Sequence, residues 1–250
     1  MQRNINKYSL NYIKADFEDY QVQYRRKLIG EQLAIYKPKR VLEIGCGMEP
    51  LFIYFPQIEF TVIEPAERFY NNAKQLALQK GYNNIKIINA FFGENEESDN
   101  LGKDFDMIIC SGLLHEIENP KEMLRAIVKK CDYHTIVHIN VPNAYSLHRI
   151  LAKTSGLIES VYEKSSRNKL LQQNSVFDLE SLQEIVMNSG LEIVDKGSYF
   201  VKIFPHESMK KLLEEGIITE QILDGFYDLV KYIPEFGSEI YVNCRLKALQ

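Results

Sequence analysis

Two glycines and one acidic residue carry the clearest chemical signal in this chain. The apolar run Val41-Leu42-Glu43-Ile44 leads directly into Gly45-Cys46-Gly47, and Glu64 ends the next apolar run. Glycine permits a tight turn and lets the backbone approach a ligand closely at the end of a strand. The acid follows near the roughly 20-residue spacing at which a carboxylate meets ribose hydroxyls. Together these residues predict a site for a cofactor that contains adenosine.

The residue at position 50 argues against a dinucleotide cofactor. A GxGxxG loop would need glycine there, but the chain has Pro50, which lacks an N–H and cannot give the same close helix packing. A Tyr-x-x-x-Lys pair is also missing near the expected site. Two alternatives stay open at this point: an NAD-dependent oxidoreductase or epimerase, and a non-catalytic nucleoside-binding protein on the same fold.

Several motifs resemble those of class I S-adenosylmethionine-dependent methyltransferases. Val41–Gly47 resembles the family's first motif, and Glu64 matches its ribose-binding acid. The run Asp104–Ser111, with the Leu113-Leu114-His115-Glu116-Ile117 loop after it, resembles the fourth strand and the active-site loop. Val141-Pro142-Asn143 resembles the end of the fifth strand. Beyond Asn143 the likeness is to uncharacterised or sugar-associated bacterial methyltransferases.

This resemblance implies S-adenosyl-L-methionine as the cofactor and a set of residues that hold it. It implies that the acid at Glu43 lies near the methionine part, that Gly45 and Gly47 pack against the cofactor, and that Glu64 binds the ribose. One departure is Glu49, where the family often has a third glycine, so the following helix is expected to run differently. The predicted cofactor-binding residues are Glu43, Gly45, Gly47, Glu64, Asn89, Ala90 and Phe91, the last three near the adenine, and Ser111.

Methyl transfer from a sulfonium is an in-line displacement, so alignment and exclusion of water are the main requirements. A general base is needed only when the acceptor is a hydroxyl or a protonated amine. His115 and Glu116 follow the fourth strand, where cofactor and acceptor would meet, and His115 is the candidate base or orienting group. His148 is a third candidate, although a structural role fits it better. The predicted function is methyl transfer to a small-molecule or sugar acceptor, on oxygen.

The elements that must position these residues alternate along the chain. Short apolar runs and amphipathic stretches alternate from Arg40 onward, which predicts an α/β, Rossmann-like, doubly wound sheet of mostly parallel strands. Two late apolar runs predict an antiparallel edge pair at the C-terminal end of the sheet. Strands are predicted at Arg40–Ile44, Phe60–Ile63, Ile85–Ile88, Phe105–Cys110, Thr135–Val141, Leu191–Phe204 and Ser238–Leu246. Helices are predicted at Ala66–Lys80, after the Asn119 N-cap and after the Asp178 N-cap.

Length and composition limit the class of protein. The 250 residues predict one domain, with an N-terminal helix at 16–36, a cofactor-binding core at 37–143 and helical additions at about 144–173 and 206–233. A net charge of −4 disfavours nucleic acid as a partner. The first residues lack the apolar segment of a signal peptide, and no run is long enough to span a bilayer. With four scattered cysteines and no clustered metal ligands, the sequence predicts a cytoplasmic enzyme without a metal, and the helical additions offer surfaces for a homodimer.

Overall fold

A seven-stranded mixed sheet forms the centre of the molecule. The computed structural model describes residue 5 and residues 17–94, 100–165, 168–169 and 171–248. The strand order is β3-β2-β1-β4-β5-β7-β6. The first five strands run parallel, and β7 pairs antiparallel with both β5 and β6. The predicted Rossmann-like class and its antiparallel edge pair are therefore confirmed. The strands are β1 (Arg40–Ile44), β2 (Glu59–Ile63), β3 (Ile85–Ile88), β4 (Met107–Ser111), β5 (Ile136–Pro142), β6 (Leu191–Tyr199) and β7 (Glu239–Leu246).

Seven α-helices are described around the sheet, and several begin or end as their sequence signals predict. The Asn119 side chain accepts from the Glu122 N–H, and Asp178 forms a capping box with Ser181. Gly81 ends a helix in the left-handed conformation with φ +68°. The helices are α1 (Glu18–Tyr36), α2 (Glu67–Lys80), α3 (Pro120–Lys129), α4 (Leu147–Thr154), α5 (Leu179–Met187), α6 (His206–Glu214) and α7 (Glu220–Asp228).

Apolar side chains cover both faces of the sheet, as the nearly continuous apolar strands require. One face packs against α3 and α5 through buried side chains such as Leu124 and Leu182. The opposite face packs against α1 and α2 through Ile29, Leu33 and Ala73. A third, aromatic cluster joins α1 to the end of β6 and to the helical addition α6–α7. Helix α1 therefore contacts both the central sheet and the addition, and this position brings it to the site.

The connection between β1 and β2 differs from plain βαβ alternation. The described chain forms only a short 3-10 turn there, Leu51–Ile53, after Pro50 in extended conformation. The buried Phe52 of this turn packs in the same cluster as α1. The expected departure at Glu49 is thus present: its carboxylate pairs with Arg26 of α1 and accepts from the Tyr54 hydroxyl. Helix α1 covers part of the sheet face that a full β1–β2 helix would occupy.

Two predicted boundaries were wrong. The strand predicted at Leu191–Phe204 ends at Tyr199, because Phe200 takes a left-handed conformation with φ +55° and the chain leaves the sheet. The predicted helical addition at 144–173 is a named helix only over Leu147–Thr154, and the Arg149 side chain ties the irregular chain after it to the Val161 carbonyl. The predicted addition at 206–233 does form two helices. Asp16, the predicted start of the first helix, lies outside the described residues, as do the N-terminal residues considered for a signal peptide, except residue 5, and residues 166–167 and 170.

None of the described helices combines the length and the apolar character that a bilayer span requires. The four cysteines, Cys46, Cys110, Cys131 and Cys244, are free and buried.

Candidate active-site cleft

A cleft of about 2210 Å³ opens at the carboxyl ends of the parallel strands. Open α/β sheets bind ligands at this edge, beside the point where the strand order reverses between β1 and β4. Several elements that are distant in sequence contribute to its walls. The lining includes Glu43, Gly45, Gly47, Glu64, Phe91, Ser111, His115, Glu116 and His148 from the predicted set, and Gln21, Arg25, Asn143, Arg149, Lys202, Ser238 and Glu239 from elsewhere in the chain.

The glycine turn after β1 has the backbone geometry that its sequence predicts. Gly45 has φ +76° and Gly47 has φ +57°, both in the left-handed region that side chains disfavour. A Cβ atom at Gly47 would have no heavy atom within 4 Å, so open space faces the turn on that side. The Gly45 N–H donates to the Ile63 carbonyl oxygen at 2.8 Å, which joins the turn to the end of β2. The turn is therefore fixed in place while one side of it stays accessible.

The Glu64 carboxylate lies directly against this turn. It accepts from the Gly47 N–H at 3.2 Å and from the Ala66 N–H at 2.8 Å. Only 3% of Glu64 is exposed. Burial raises its pKa to about 7, although both N–H donors oppose the shift by favouring the charged form. A carboxylate held beside a glycine turn can accept hydrogen bonds from two ribose hydroxyls.

Glu43 lies deeper on the same wall and has a related environment. Its carboxylate accepts from the Leu51 N–H at 3.1 Å, so it holds the 3-10 turn that replaces a longer helix. Burial raises the pKa of Glu43 to about 8, and the nearby Glu64 carboxylate adds to the shift. At neutral pH the Glu43 side chain is therefore largely protonated.

The loop after β4 brings His115 and Glu116 to the cleft. Both lie in the short 3-10 helix Leu114–Glu116, and both side chains are buried. His115 Nε2 lies 3.9 Å from a Glu116 carboxylate oxygen. The His115 carbonyl oxygen accepts from the N–H groups of Asn174 and Ser175, which anchors the loop to the segment before α5. The structure thus brings an imidazole and a carboxylate together in the cleft.

A buried polar chain supports this loop from behind. The Gly112 N–H donates to Asn140 Oδ1 at 2.8 Å, and Asn140 Nδ2 lies 3.1 Å from His138 Nε2. Because an amide nitrogen only donates, His138 Nε2 accepts, and the ring proton on Nδ1 points to Asn243 Oδ1 at 2.8 Å. The Asn243 amide in turn donates to Asp195 at 3.1 Å.

His138, Asn140 and Asn243 are 0% exposed. Burial lowers the pKa of His138 to about 4, which keeps it neutral. These contacts give His138 a structural role. The polar residues His138 and Asn140 stand two apart in an apolar strand, which puts them on one face.

Helix α1 supplies site residues that the sequence did not reveal. Arg25 forms a two-pronged ion pair with Glu239 of β7, and the Tyr199 hydroxyl donates to the same carboxylate. The Arg25 guanidinium also lies over the active-site loop, because a Cβ atom at Gly112 would be 3.3 Å from it. These partners are separated by 214 positions, so no local pattern could have indicated them.

His148 enters the cleft from the second position of α4. Burial lowers its pKa well below the usual value, and the positive charges of Lys202 and Arg149 lower it further. The ring is therefore neutral at physiological pH. Its Nδ1 atom is buried and has no hydrogen-bond partner in the described part of the chain.

The three residues predicted near the adenine do not all face the cleft. Phe91 lines it and is partly exposed. Asn89 instead donates to the Glu64 carbonyl oxygen at 2.8 Å, and Ala90 is buried in the core. Through that bond Asn89 fixes the backbone that carries Glu64. In the described ranges, no group of three His, Cys, Asp or Glu side chains is placed to hold a metal ion.

Comparisons with known proteins give one family and many similar folds. A family model described as a methyltransferase domain matches residues 17–196. A solved methyltransferase from Thermotoga maritima, described as a candidate histamine N-methyltransferase, is 14% identical, with 97% of this chain and 98% of that chain covered and a TM-score of 0.64. The cyclase SpnF is 16% identical, with coverage of 84% and 75% and a TM-score of 0.56.

A third solved structure is an O-methyltransferase from neocarzinostatin biosynthesis, in complex with S-adenosylmethionine and 2-hydroxy-5-methyl naphthoic acid. It is 12% identical, with 89% of this chain and 56% of that chain covered and a TM-score of 0.52. A search of curated proteins found no match. At these identities the solved structures establish the fold. Since a cyclase shares it, the fold alone does not decide the reaction.

Proposed function

Because this chain belongs to the methyltransferase-domain family and is an S-adenosylmethionine-dependent enzyme, we propose that it methylates an oxygen atom of a small-molecule acceptor. The family match covers the glycine turn, Glu64 and the loop with His115, so it favours this reading over an NAD-dependent enzyme and over a non-catalytic binding protein. The observation that carries the choice of oxygen is the His115–Glu116 pair in the cleft.

The residues at the glycine turn fit the cofactor. Both Gly45 and Gly47 are left-handed, Gly47 faces open space, and the Glu64 carboxylate already accepts from the Gly47 N–H. We propose that Glu64 holds the ribose hydroxyls and that Phe91 and Ser111 contact the rest of the cofactor. When bound, S-adenosylmethionine supplies a methyl group on a positively charged sulfur, which is the electrophile of the reaction.

The remaining requirement of an oxygen acceptor is removal of its proton. A hydroxyl oxygen that gains a methyl group must lose its hydrogen, and His115 lines the cleft where an imidazole can take it. The nearby Glu116 carboxylate stabilises the imidazolium that this transfer creates, as carboxylates do beside catalytic histidines. A neutral amine would need no such pair.

In this proposal the acceptor is a small molecule or a sugar, and the whole chain forms one catalytic domain. In this proposal the additions α4 and α6–α7 cover the acceptor end of the cleft. The predicted homodimer and the cytoplasmic location stay predictions, and sedimentation at micromolar protein concentration tests the first of them.

Calorimetric titration tests the cofactor site. We expect S-adenosylmethionine and S-adenosylhomocysteine to bind, NAD not to bind, and Glu64→Ala to weaken both affinities at least about 100-fold, because two hydrogen bonds to a charged group are lost. Glu67→Ala is the matched control, since Glu67 is an exposed acid in the first turn of α2. Unchanged affinity in Glu64→Ala contradicts the assigned ribose contact.

A product assay tests the oxygen acceptor. The protein is incubated with isotopically labelled S-adenosylmethionine and matched panels of hydroxylated and amino compounds, and methylated products are found by mass spectrometry. We expect oxygen methylation, and His115→Ala to lower kcat by about 10²-fold or more while cofactor affinity is kept. His134→Ala, which alters an exposed histidine, is the control. Methylation of amines alone, at a rate that His115→Ala leaves unchanged, contradicts the proposal.

A further inference from the structure

The acceptor end of the cleft contains a buried amide with one atom unsatisfied. Gln21 of α1 is 3% exposed and lines the cleft. Its Nε2 atom donates to Ser238 Oγ at 2.9 Å, which fixes the orientation of the amide. Its Oε1 atom is buried and has no hydrogen-bond partner among the described residues. A buried carbonyl oxygen without a donor costs free energy of about 1 to 3 kcal/mol, so a ligand donor at this point would be favourable.

Gln21 and His148 belong to the same corner of the cleft. Ser238, the partner of Gln21, accepts with its carbonyl oxygen from the Asn143 N–H at 3.0 Å. Asn143 in turn accepts from the Ser146 N–H at 3.2 Å, and Ser146 is the N-cap of the helix that carries His148. Both side chains line the cleft, and each has a buried polar atom without a partner in the described chain.

This corner lies next to the active-site loop. Gln21 precedes Arg25 by one helical turn, and Arg25 lies over Gly112 at the start of that loop. Residues four apart on a helix are about 6 Å apart on the same face. A molecule that contacts Gln21 Oε1 therefore lies on the side of α1 that faces the loop with His115.

The positive charges around the corner are already engaged. Arg25 pairs with Glu239 and Glu18, and the Arg149 guanidinium donates to the carbonyl oxygens of Val161 and Glu163. Lys202 is engaged as well. Among the described residues of this corner that line the cleft, the polar atoms without a partner are the Gln21 amide oxygen, which only accepts, and a nitrogen of the neutral His148 imidazole. Hydroxyl groups satisfy both, because each hydroxyl can donate and accept, whereas a carboxylate or phosphate cannot donate to the amide oxygen.

We propose that Gln21 and His148 form a hydroxyl-recognition subsite, and that the methyl acceptor is an uncharged polyhydroxylated molecule of the sugar or polyol class. Methylation of this molecule rests on the proposed function, whereas the binding of its hydroxyl groups at Gln21 and His148 does not. Two adjacent hydroxyls engage Gln21 Oε1 and His148 Nδ1, and this contact holds a third hydroxyl toward the loop with His115.

Binding of simple polyols tests the subsite directly. Methyl α-glucopyranoside, methyl α-ribofuranoside and myo-inositol are titrated calorimetrically into the full-length protein, with and without saturating S-adenosylhomocysteine, and glucuronate serves as the anionic probe. We expect at least one polyol to bind and Gln21→Leu to weaken it about 10-fold or more while S-adenosylhomocysteine affinity is unchanged. Gln57→Leu is the matched control, because Gln57 is exposed in the β1–β2 connection.

A second readout needs no substitution at the site. The ¹⁵N resonance of His148 Nδ1 is followed while the polyol is added to the wild-type protein, and a shift that saturates with the calorimetric affinity is expected. The proposal is overturned if no polyol binds, if glucuronate binds in their place, or if Gln21→Leu and the His148 resonance are both indifferent to the polyol. Failure of S-adenosylhomocysteine to bind would instead count against the proposed function, because the titration without it still reports on the subsite.

Discussion

Glu43 and Glu64 place two carboxyl groups on one wall of the cleft, and burial raises the pKa of both, to about 8 and about 7. In an unfolded chain a glutamate titrates near pH 4.3. The unfolded chain releases these protons near pH 4.3, whereas the folded state holds them up to about pH 7 to 8. The stability that the bound protons contribute is therefore present at acid pH and lost as pH rises through 7 to 8. Ribose hydroxyls donate to a charged carboxylate, so cofactor binding favours the ionised form of Glu64.

The first residue-scale prediction concerns this pH dependence. Without cofactor, we expect the melting temperature of the wild-type protein to fall between pH 6 and pH 8.5, and Glu64→Gln to flatten that fall because the neutral amide does not titrate. Differential scanning fluorimetry across the pH range measures it, with Glu67→Gln as the exposed control. Equal slopes in the wild type and in Glu64→Gln would show that Glu64 is not the titrating group.

The second concerns the polar chain behind the active-site loop. Asn140→Leu keeps the side-chain size but removes the amide that pairs with His138 Nε2 and with the Ser111 hydroxyl. We expect a loss of about 2 to 4 kcal/mol in the free energy of unfolding, measured by urea denaturation. Asn71→Leu on the exposed side of α2 should change it by less than about 0.5 kcal/mol. A loss no larger than that of the control would mean that water replaces the amide.

At the scale of elements, helix α1 does two jobs. It packs Ile29 and Leu33 on the sheet face beside the shortened β1–β2 connection, and it carries Gln21 and Arg25 into the cleft. The sequence of α1 does not indicate that it contributes residues to the cleft, because its charged residues resemble those of any solvent-exposed helix. The buried Arg25–Glu239 pair joins this helix to β7, and removing one partner leaves a charge inside the protein.

The matching prediction compares two cations on this one helix. Arg25→Met should cost about 3 to 5 kcal/mol, because Glu239 keeps its buried charge without the guanidinium. Lys27→Met removes an exposed pair with Asp224 and should cost at most about 1 kcal/mol. Chemical denaturation gives both values, and the double variant Arg25→Met with Glu239→Gln should recover part of the loss. Equal losses of at most about 1 kcal/mol in the two single variants would contradict the expected cost of breaking the buried Arg25–Glu239 pair.

At the scale of the whole molecule, the sequence predicted the structural features that depend on residues close together in the chain. The glycine turn at Gly45, the N-cap at Asn119 and the strand at Ile85–Ile88 follow from side chains a few positions away. The end of β6 did not, because the turn at Phe200 is held by the Val201 bond to Phe226 and the Ser238 bond to Phe200. The corner with Gln21 and His148 was also hidden, since Gln21, His148 and Ser238 lie far apart in the sequence.

The contact between α1 and β7 has a consequence for synthesis. Gln21 is made 217 residues before its partner Ser238, and Arg25 is made 214 residues before Glu239. At ordinary elongation rates this interval lasts about 10 to 40 s. During it the nascent helix exposes the aromatic surface that later packs against Phe200 and Tyr227. The growing chain therefore completes the contacts of Gln21 and Arg25 only when β7 has left the ribosome.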